Sequence, residues 1–410
     1  MAGRRDDRRP GPMRDHGQQA VGWGLADVPD LHGRQIVVTG ADSGIGFEIS
    51  RVLAGRGATV IMACRDVASA EAAAARIRAD VSSRAAPAAG ANAANADLVA
   101  AAAMPVTVSA ARGSAGRERP SGVGWPSAAV GRAGAAGSSG LAGPTGIGGR
   151  RDVAARADVR VQRLDLASLT SVHAAAMQIR AACPRLDLLI NNAGVMRPRV
   201  SATEDGLDPT LGINYVGHFA LTGLLLDRLL ATPHSRVITL SSLVYRIGRV
   251  RPAARGFVRR DPMWAPGSRA AYPTSKLAML MFAIELQRRL GAAGAPTIAV
   301  AAHPGVARTG LVRELPVVMR AFMTDQMAPV MGWLIQDAQT GALAPIRAAV
   351  DPGVRGGDFY GPNGLFGSTG SPVPTRAGRT ARNRDLGRLL WAESERITGV
   401  RYPLGPPATP

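Results

Sequence analysis

Tyr272 and Lys276 stand four positions apart in Tyr272-Pro273-Thr274-Ser275-Lys276. On a helix that spacing puts both side chains on one face. A cation held near a phenol favours the phenolate and draws its pKa down from about 10. That brings a tyrosine toward the working range of a general acid and base. Lys276 is the only lysine of the chain; every other basic side chain is arginine. One position therefore calls for a compact ammonium that the broad guanidinium cannot replace.

A second cluster, Thr39-Gly40-Ala41-Asp42-Ser43-Gly44-Ile45-Gly46, follows the β-branched run Gln35 to Thr39. Glycines between a buried strand and a helix permit a tight turn and let a pyrophosphate approach the backbone. The helix N-terminus then offers free N–H groups and the positive end of its dipole. The spacing is G-x-x-x-G-x-G, not the G-x-G-x-x-G of the commonest dinucleotide fingerprint. At the end of the next strand, Thr59 to Cys64, an acidic residue would favour the ribose hydroxyls of NAD; Cys64 stands there instead, followed by Arg65. An arginine there suits a 2′-phosphate, so NADP(H) is favoured over NAD(H), although Arg65 is also one of many arginines.

These groups need a frame. Helices are expected at Phe47 to Arg56, Asp66 to Ala79, Ser168 to Ala182, Asp208 to Leu230 and Tyr272 to Leu290. Strands are expected at Val159 to Leu164, Leu186 to Asn191, Arg236 to Ser241 and Thr297 to Ala302. Such alternation implies a parallel sheet with helices on both faces, a Rossmann-type doubly wound α/β fold in one domain. Residues 1–30 read as a disordered lead-in and residues 31–402 as the domain. Residues 82–157 interrupt it with Ala, Gly, Ser, Pro and Arg and few large apolar side chains, a composition expected to stay disordered because it cannot bury enough surface to offset ordering. The apolar stretch Leu311 to Ala349 is expected to be a substrate lid, with ordinary core helix as the alternative.

The chain resembles the short-chain dehydrogenase/reductases, and within them the retinol-dehydrogenase-like branch. The family's T-G-x-x-x-G-x-G is matched by Thr39 to Gly46, its N-N-A-G by Asn191 to Gly194 and its helix asparagine by Asn214. Its paired serines are matched by Ser241-Ser242, its Y-x-x-x-K by Tyr272 to Lys276 and its P-G-x-x-x-T by Pro304 to Thr309. Ala63-Cys64-Arg65-Asp66, Leu164 to Leu169 and His303-Pro304-Gly305 indicate the branch. The resemblance implies an oxidoreductase acting on alcohols or carbonyls, with Asn214, Ser242, Tyr272 and Lys276 as catalytic residues and Asn214 holding a water on a proton relay. It further implies a nicotinamide cofactor held by Gly40, Ser43, Gly44, Ile45, Gly46, Arg65, Asp165, Leu166, Asn192, Ala193 and Gly194. Tyr272, Lys276, Pro304, Gly305, Val306 and Thr309 would hold its other end. Two features depart from the pattern: the insertion, and the 30 positions from Ser242 to Tyr272.

Composition narrows the alternatives. A formal charge of +19 would suit an anionic partner, yet an arginine excess with almost no lysine reads as compositional drift, and no specific nucleic-acid partner is expected. The two cysteines, Cys64 and Cys183, and the scattered histidines make no metal motif; a reducing cytoplasm is the default setting. No apolar run is long enough for a transmembrane helix. The expected substrate is a small apolar alcohol, ketone or aldehyde. Self-association stays open, as does the rival reading of a non-catalytic NADP-sensing or scaffold protein on the same fold.

Overall fold

The computed structural model describes residues 22–85, 157–196, 198, 200–250, 270–307 and 336–404. Eight strands form one sheet in the order β3-β2-β1-β4-β5-β6-β7-β8. They are β1 (Gln35–Thr39), β2 (Thr59–Cys64), β3 (Val159–Arg163), β4 (Leu188–Asn191), β5 (Arg236–Leu240), β6 (Ile298–Ala302), β7 (Phe359–Pro362) and β8 (Pro372–Pro374). All neighbours are parallel except β7 and β8, which run antiparallel. The chain leaves β1 toward β2 on one side, whereas β4 pairs with β1 on the other, so a topological switch lies between β1 and β4. Crevices at such points, beyond the carboxyl ends of the strands, are where doubly wound sheets bind ligands.

Both faces of the sheet are covered, which explains why its strands read as unbroken apolar runs. Ile36 and Val38 of β1 join a core built with α1 (Gly44–Gly55), α2 (Val67–Ala85) and α6 (Ala338–Val350). Val37 faces the opposite core, with α3 (Leu169–Ala182), α4 (Gly217–Leu230), α5 (Ala271–Ala292) and α7 (Arg384–Thr398). Among the described residues, seven buried aromatics gather on this second face. Phe219 lies 5.1 Å from Trp391 and 4.9 Å from Tyr402, centroid to centroid, and the Tyr215 hydroxyl meets Ser394 at 2.6 Å.

Several expectations need correction. Helix α1 begins at Gly44, not Phe47, because Ser43 is extended and the two glycines Gly44 and Gly46 already belong to the first turn. Helix α2 runs on to Ala85: Ile77 and Val81 keep its apolar face in the core. Residues 22–30 are not a loose lead-in, since Leu25–Asp27 makes a 3-10 turn and Val28 is buried. Residues 1–21 and 86–156, the bulk of the expected insertion, lie outside the described residues. So do residues 308–335, most of the expected lid. The remainder of that stretch is core: α6 buries Ala342, Ile346 and Ala349 against the sheet, so its apolar character serves packing.

Candidate active site

A cavity of about 520 Å³ opens at the switch point, between the carboxyl ends of the strands and the helix termini that follow them. One end is built by the glycine turn. Gly40 has a φ of 61°, in the left-handed region open to glycine, and a Cβ there would lie 2.9 Å from Ala193. A Cβ on Gly46 would fall 2.2 Å from the Gly40 carbonyl and 2.5 Å from Asn192. Glycine is thus required where α1 starts, and the first turn of α1 lines the cavity with backbone N–H groups that the helix itself cannot pair.

The turn after β4 is tied to this cradle. The Thr39 hydroxyl accepts the Asn192 and Ala193 N–H groups at 2.9 and 3.0 Å. The Asn192 amide in turn donates to the Thr39 and Gly40 carbonyls at 2.8 and 3.1 Å. Gly40, Gly46, Asp165, Leu166, Arg65 and Asn192 consequently line one continuous wall. A dinucleotide fits this donor set: an anion cradle at a helix N-terminus, flanked by a switch-point crevice.

Near the end of β2 the lining residues disagree in charge. Arg65 is exposed at the rim, as a partner for a 2′-phosphate would be. Asp42, not anticipated as a site residue, shares the wall and would oppose that phosphate while accepting ribose hydroxyls. Between them Cys64 is buried, its sulfur accepting the Ala41 N–H at 3.2 Å. Burial, reinforced by the charge of Asp42, pushes the Cys64 thiol up to about 12, so it is a packing group with no thiolate character.

Tyr272, Lys276, Ser242 and Pro304 to Val306 line the opposite end of the same cavity. Tyr272 and Lys276 occupy the first two turns of α5, and the ammonium sits 5.8 Å from the centre of the Tyr272 ring. Lys276 is only 5% exposed and donates to the Leu240 carbonyl at 3.2 Å. Burial lowers its pKa from 10.5 to about 8. Ser242 is half-buried and precedes the 3-10 turn Leu243–Ile247. Its neighbour Ser241 acts on the backbone instead. The Ser241 hydroxyl donates to the Lys276 carbonyl at 2.8 Å and fastens α5 to the end of β5.

Asn214 is the exception among the expected catalytic residues, because it does not line the cavity. It is fully buried in a π-helical turn, Gly212–Val216, the kind of helix irregularity that gathers at functional sites. Its amide donates to the Val195 carbonyl and the Ser275 hydroxyl, both at 2.9 Å, and its oxygen accepts the Val195 N–H at 2.7 Å. The side chain thereby clamps the backbone beyond Gly194. The Ser275 hydroxyl continues the chain by donating to the Tyr272 carbonyl at 2.8 Å.

Two further ties were not foreseen. Gln336 donates to the Pro304 carbonyl at 2.6 Å, and its backbone N–H reaches the Val306 carbonyl at 2.9 Å, holding the turn after β6 in place. His218, in α4 one turn beyond Asn214, is buried against Thr39. Gln336 carries no local signal, since its partners come from distant segments; His218 stands four positions after Asn214 and could have been found by that helical spacing. Thr309 lies outside the described residues.

Comparison with known proteins agrees with this geometry. The sequence model of the family described as short chain dehydrogenase matches residues 34–112 and 151–254. Human retinol dehydrogenase 13 is 31% identical over 375 residues, covering 91% of this chain and 87% of that protein. Mouse polyprenol dehydrogenase is 38% identical over 243 residues, 58% of this chain and 67% of that one. A crystal structure of an uncharacterized protein from Mycobacterium paratuberculosis superposes with a TM-score of 0.61 at 32% identity, over 93% of this chain and all of that one.

Proposed function

The chain belongs to the short-chain dehydrogenase family, in its retinol-dehydrogenase-like branch, and from that premise we propose that this oxidoreductase uses NADP(H) to interconvert apolar alcohols and their carbonyl counterparts, with Tyr272 as the general acid and base. The observation that carries the reading is the single lysine of the chain, buried beside Tyr272 in the cavity whose other end is an anion cradle. The nicotinamide, when bound, gives or takes the hydride.

The chain's own residues handle the proton. The Tyr272 hydroxyl passes a proton to or from the substrate oxygen. Lys276, charged below about pH 8, lies close enough to favour the phenolate. Ser242 donates a hydrogen bond to the same oxygen as charge develops on it. Asn214 sets the loop after Gly194 so that the cofactor has a firm wall. Arg65 supports the choice of NADP(H), whereas Asp42 pulls toward NAD(H); the guanidinium's planar fork is the better match to a phosphate. An apolar substrate is supported by Val195, Met196, Ile213, Leu243 and Val244 in the cavity wall and by relatives named for retinol and polyprenol. Two separate, buried, free cysteines suit a reducing cytoplasm.

The test is a panel of apolar alcohols, aldehydes and ketones followed at the nicotinamide absorbance band, with wild type and Tyr272→Phe side by side. Wild type should turn over at least one of them with NADP(H). The phenylalanine variant should bind cofactor as before and keep at most about a hundredth of the rate, within the range that loss of an acid–base group produces. A variant rate close to wild type would refute the assignment. Cofactor binding without turnover of any panel member would instead favour the sensing alternative.

A further inference from the structure

His218 lies at the junction of the two halves of the site, and nothing assigned so far uses it. Its ring is fully buried. Nδ1 is 2.9 Å from the Asn214 carbonyl, and Nε2 is 2.9 Å from the Thr39 hydroxyl. A carbonyl can only accept, so Nδ1 carries the hydrogen. In a neutral ring Nε2 is then an acceptor, and the Thr39 hydroxyl must donate its one hydrogen to it. With that hydrogen committed, both lone pairs of the Thr39 oxygen point to the Asn192 and Ala193 N–H groups that it accepts. The Ile190 carbonyl, 3.4 Å from the same hydroxyl, is the more distant acceptor, and giving the hydrogen to Nε2 at 2.9 Å leaves neither ring nitrogen unpaired.

We propose that His218 is a positioning residue: its imidazole orients the Thr39 hydroxyl that holds the Asn192–Ala193 wall of the cradle, and it locks that wall to the Asn214 turn. The ring then couples the cofactor floor to the helix start that carries Tyr272 and Lys276. The path runs from Thr39 through His218 to the Asn214 backbone, and from the Asn214 amide through Ser275 to the Tyr272 carbonyl. Protonation would break it, since Nε2 would become a donor and lose the Thr39 hydrogen. The setting prevents this. Burial, aided by the positive charge of Lys276, holds the His218 pKa down at about 3.

The effect on cofactor binding rests on the functional reading above; the state of the ring does not. Two experiments separate them. In wild-type protein labelled with 15N-histidine, the NMR signals of His218 should report a neutral ring with hydrogen on Nδ1 and no titration between about pH 5 and pH 9. A ring protonated on Nε2, or one titrating near its ordinary value of 6.5, would overturn the proposal whatever the protein binds.

The second experiment measures NADPH dissociation constants by fluorescence titration for His218→Phe, Thr39→Val and the double variant. Each single change should weaken binding about tenfold, the loss expected when a buried hydrogen bond is broken. The double variant should be no weaker than Thr39→Val alone, because the ring acts on the cradle through the hydroxyl that this change already removes. His218→Gln, which keeps an acceptor facing Thr39, should restore affinity to within about threefold of wild type. Additive losses, or equal losses for Gln and Phe, would mean that the ring merely fills space. Failure of wild type to bind NADPH or NADH would refute the cofactor reading, and the tautomer would then decide this inference alone.

Discussion

Replacing Lys276 with methionine should make the cofactor-free protein more stable while destroying its activity. The ammonium is buried, and its pKa falls from 10.5 to about 8. The unfolded chain keeps this proton to about pH 10.5, the folded one only to about pH 8. Between those limits the unfolded state binds more protons, so wild-type stability rises with pH across this window. Below it the folded protein carries the full cost of the desolvated charge, ~3 kcal/mol at about 1.4 kcal/mol per tenfold in proton affinity. Methionine has a similar unbranched shape and removes that cost. It also leaves the Leu240 carbonyl without its donor, a loss of ~1 kcal/mol. The net gain near pH 7 is therefore ~2 kcal/mol, or about 3 °C in melting temperature for a domain of this size. Most of that advantage should vanish by about pH 9.5, where wild type has shed the proton. Urea and thermal unfolding of both proteins from pH 7 to pH 9.5 provide the assay. Comparing the two also cancels Cys64, whose raised pKa acts in the opposite sense at high pH in both. A variant less stable at pH 7, or a difference that stays flat across the window, would refute the claim that Lys276 is an ammonium held at a cost for chemistry.

Arg65→Ala should weaken NADP binding about tenfold or more and NAD binding by less than about twofold, because a charge-assisted contact to the 2′-phosphate is lost. Titration with both cofactors checks this, and equal losses would shift the discrimination to Asp42. Replacing residues 86–156 by a short Gly/Ser linker should leave NADPH affinity and melting temperature nearly unchanged. Helix α2 already completes the crossover from β2 to β3, which pair in parallel, and closing a long loop costs little more than closing a short one. Loss of solubility or of cofactor binding in the shortened protein would show that the segment belongs to the domain.

Much of the site was readable along the chain because each part of it is local. The glycine turn needs only a strand, a helix and glycines where backbones meet. Tyr272 and Lys276 need only one helix face, and the lone lysine marks its own position. The same holds for the strands, whose continuous apolar runs follow from burial on both faces. Where the reading went astray, non-local packing had decided. Composition left the stretch Leu311 to Ala349 open between lid and core helix, and only the place of Ala338–Val350 against the sheet makes that part of it core.

Periodicity and spacing within single elements specify the Rossmann alternation, the glycine turn and the placing of Tyr272 and Lys276 on one helix face, so the linear chain carries all three. The partners that complete the site come from elsewhere. Packing of the folded chain assigns Asn214 to the Val195 backbone, Ser241 to the Lys276 carbonyl and His218 to Thr39, a residue 179 positions away. Hydrogen bonds of that kind depend on how sheet and helices stack, and no local pattern encodes the distance between elements that lie apart in the chain and meet in space.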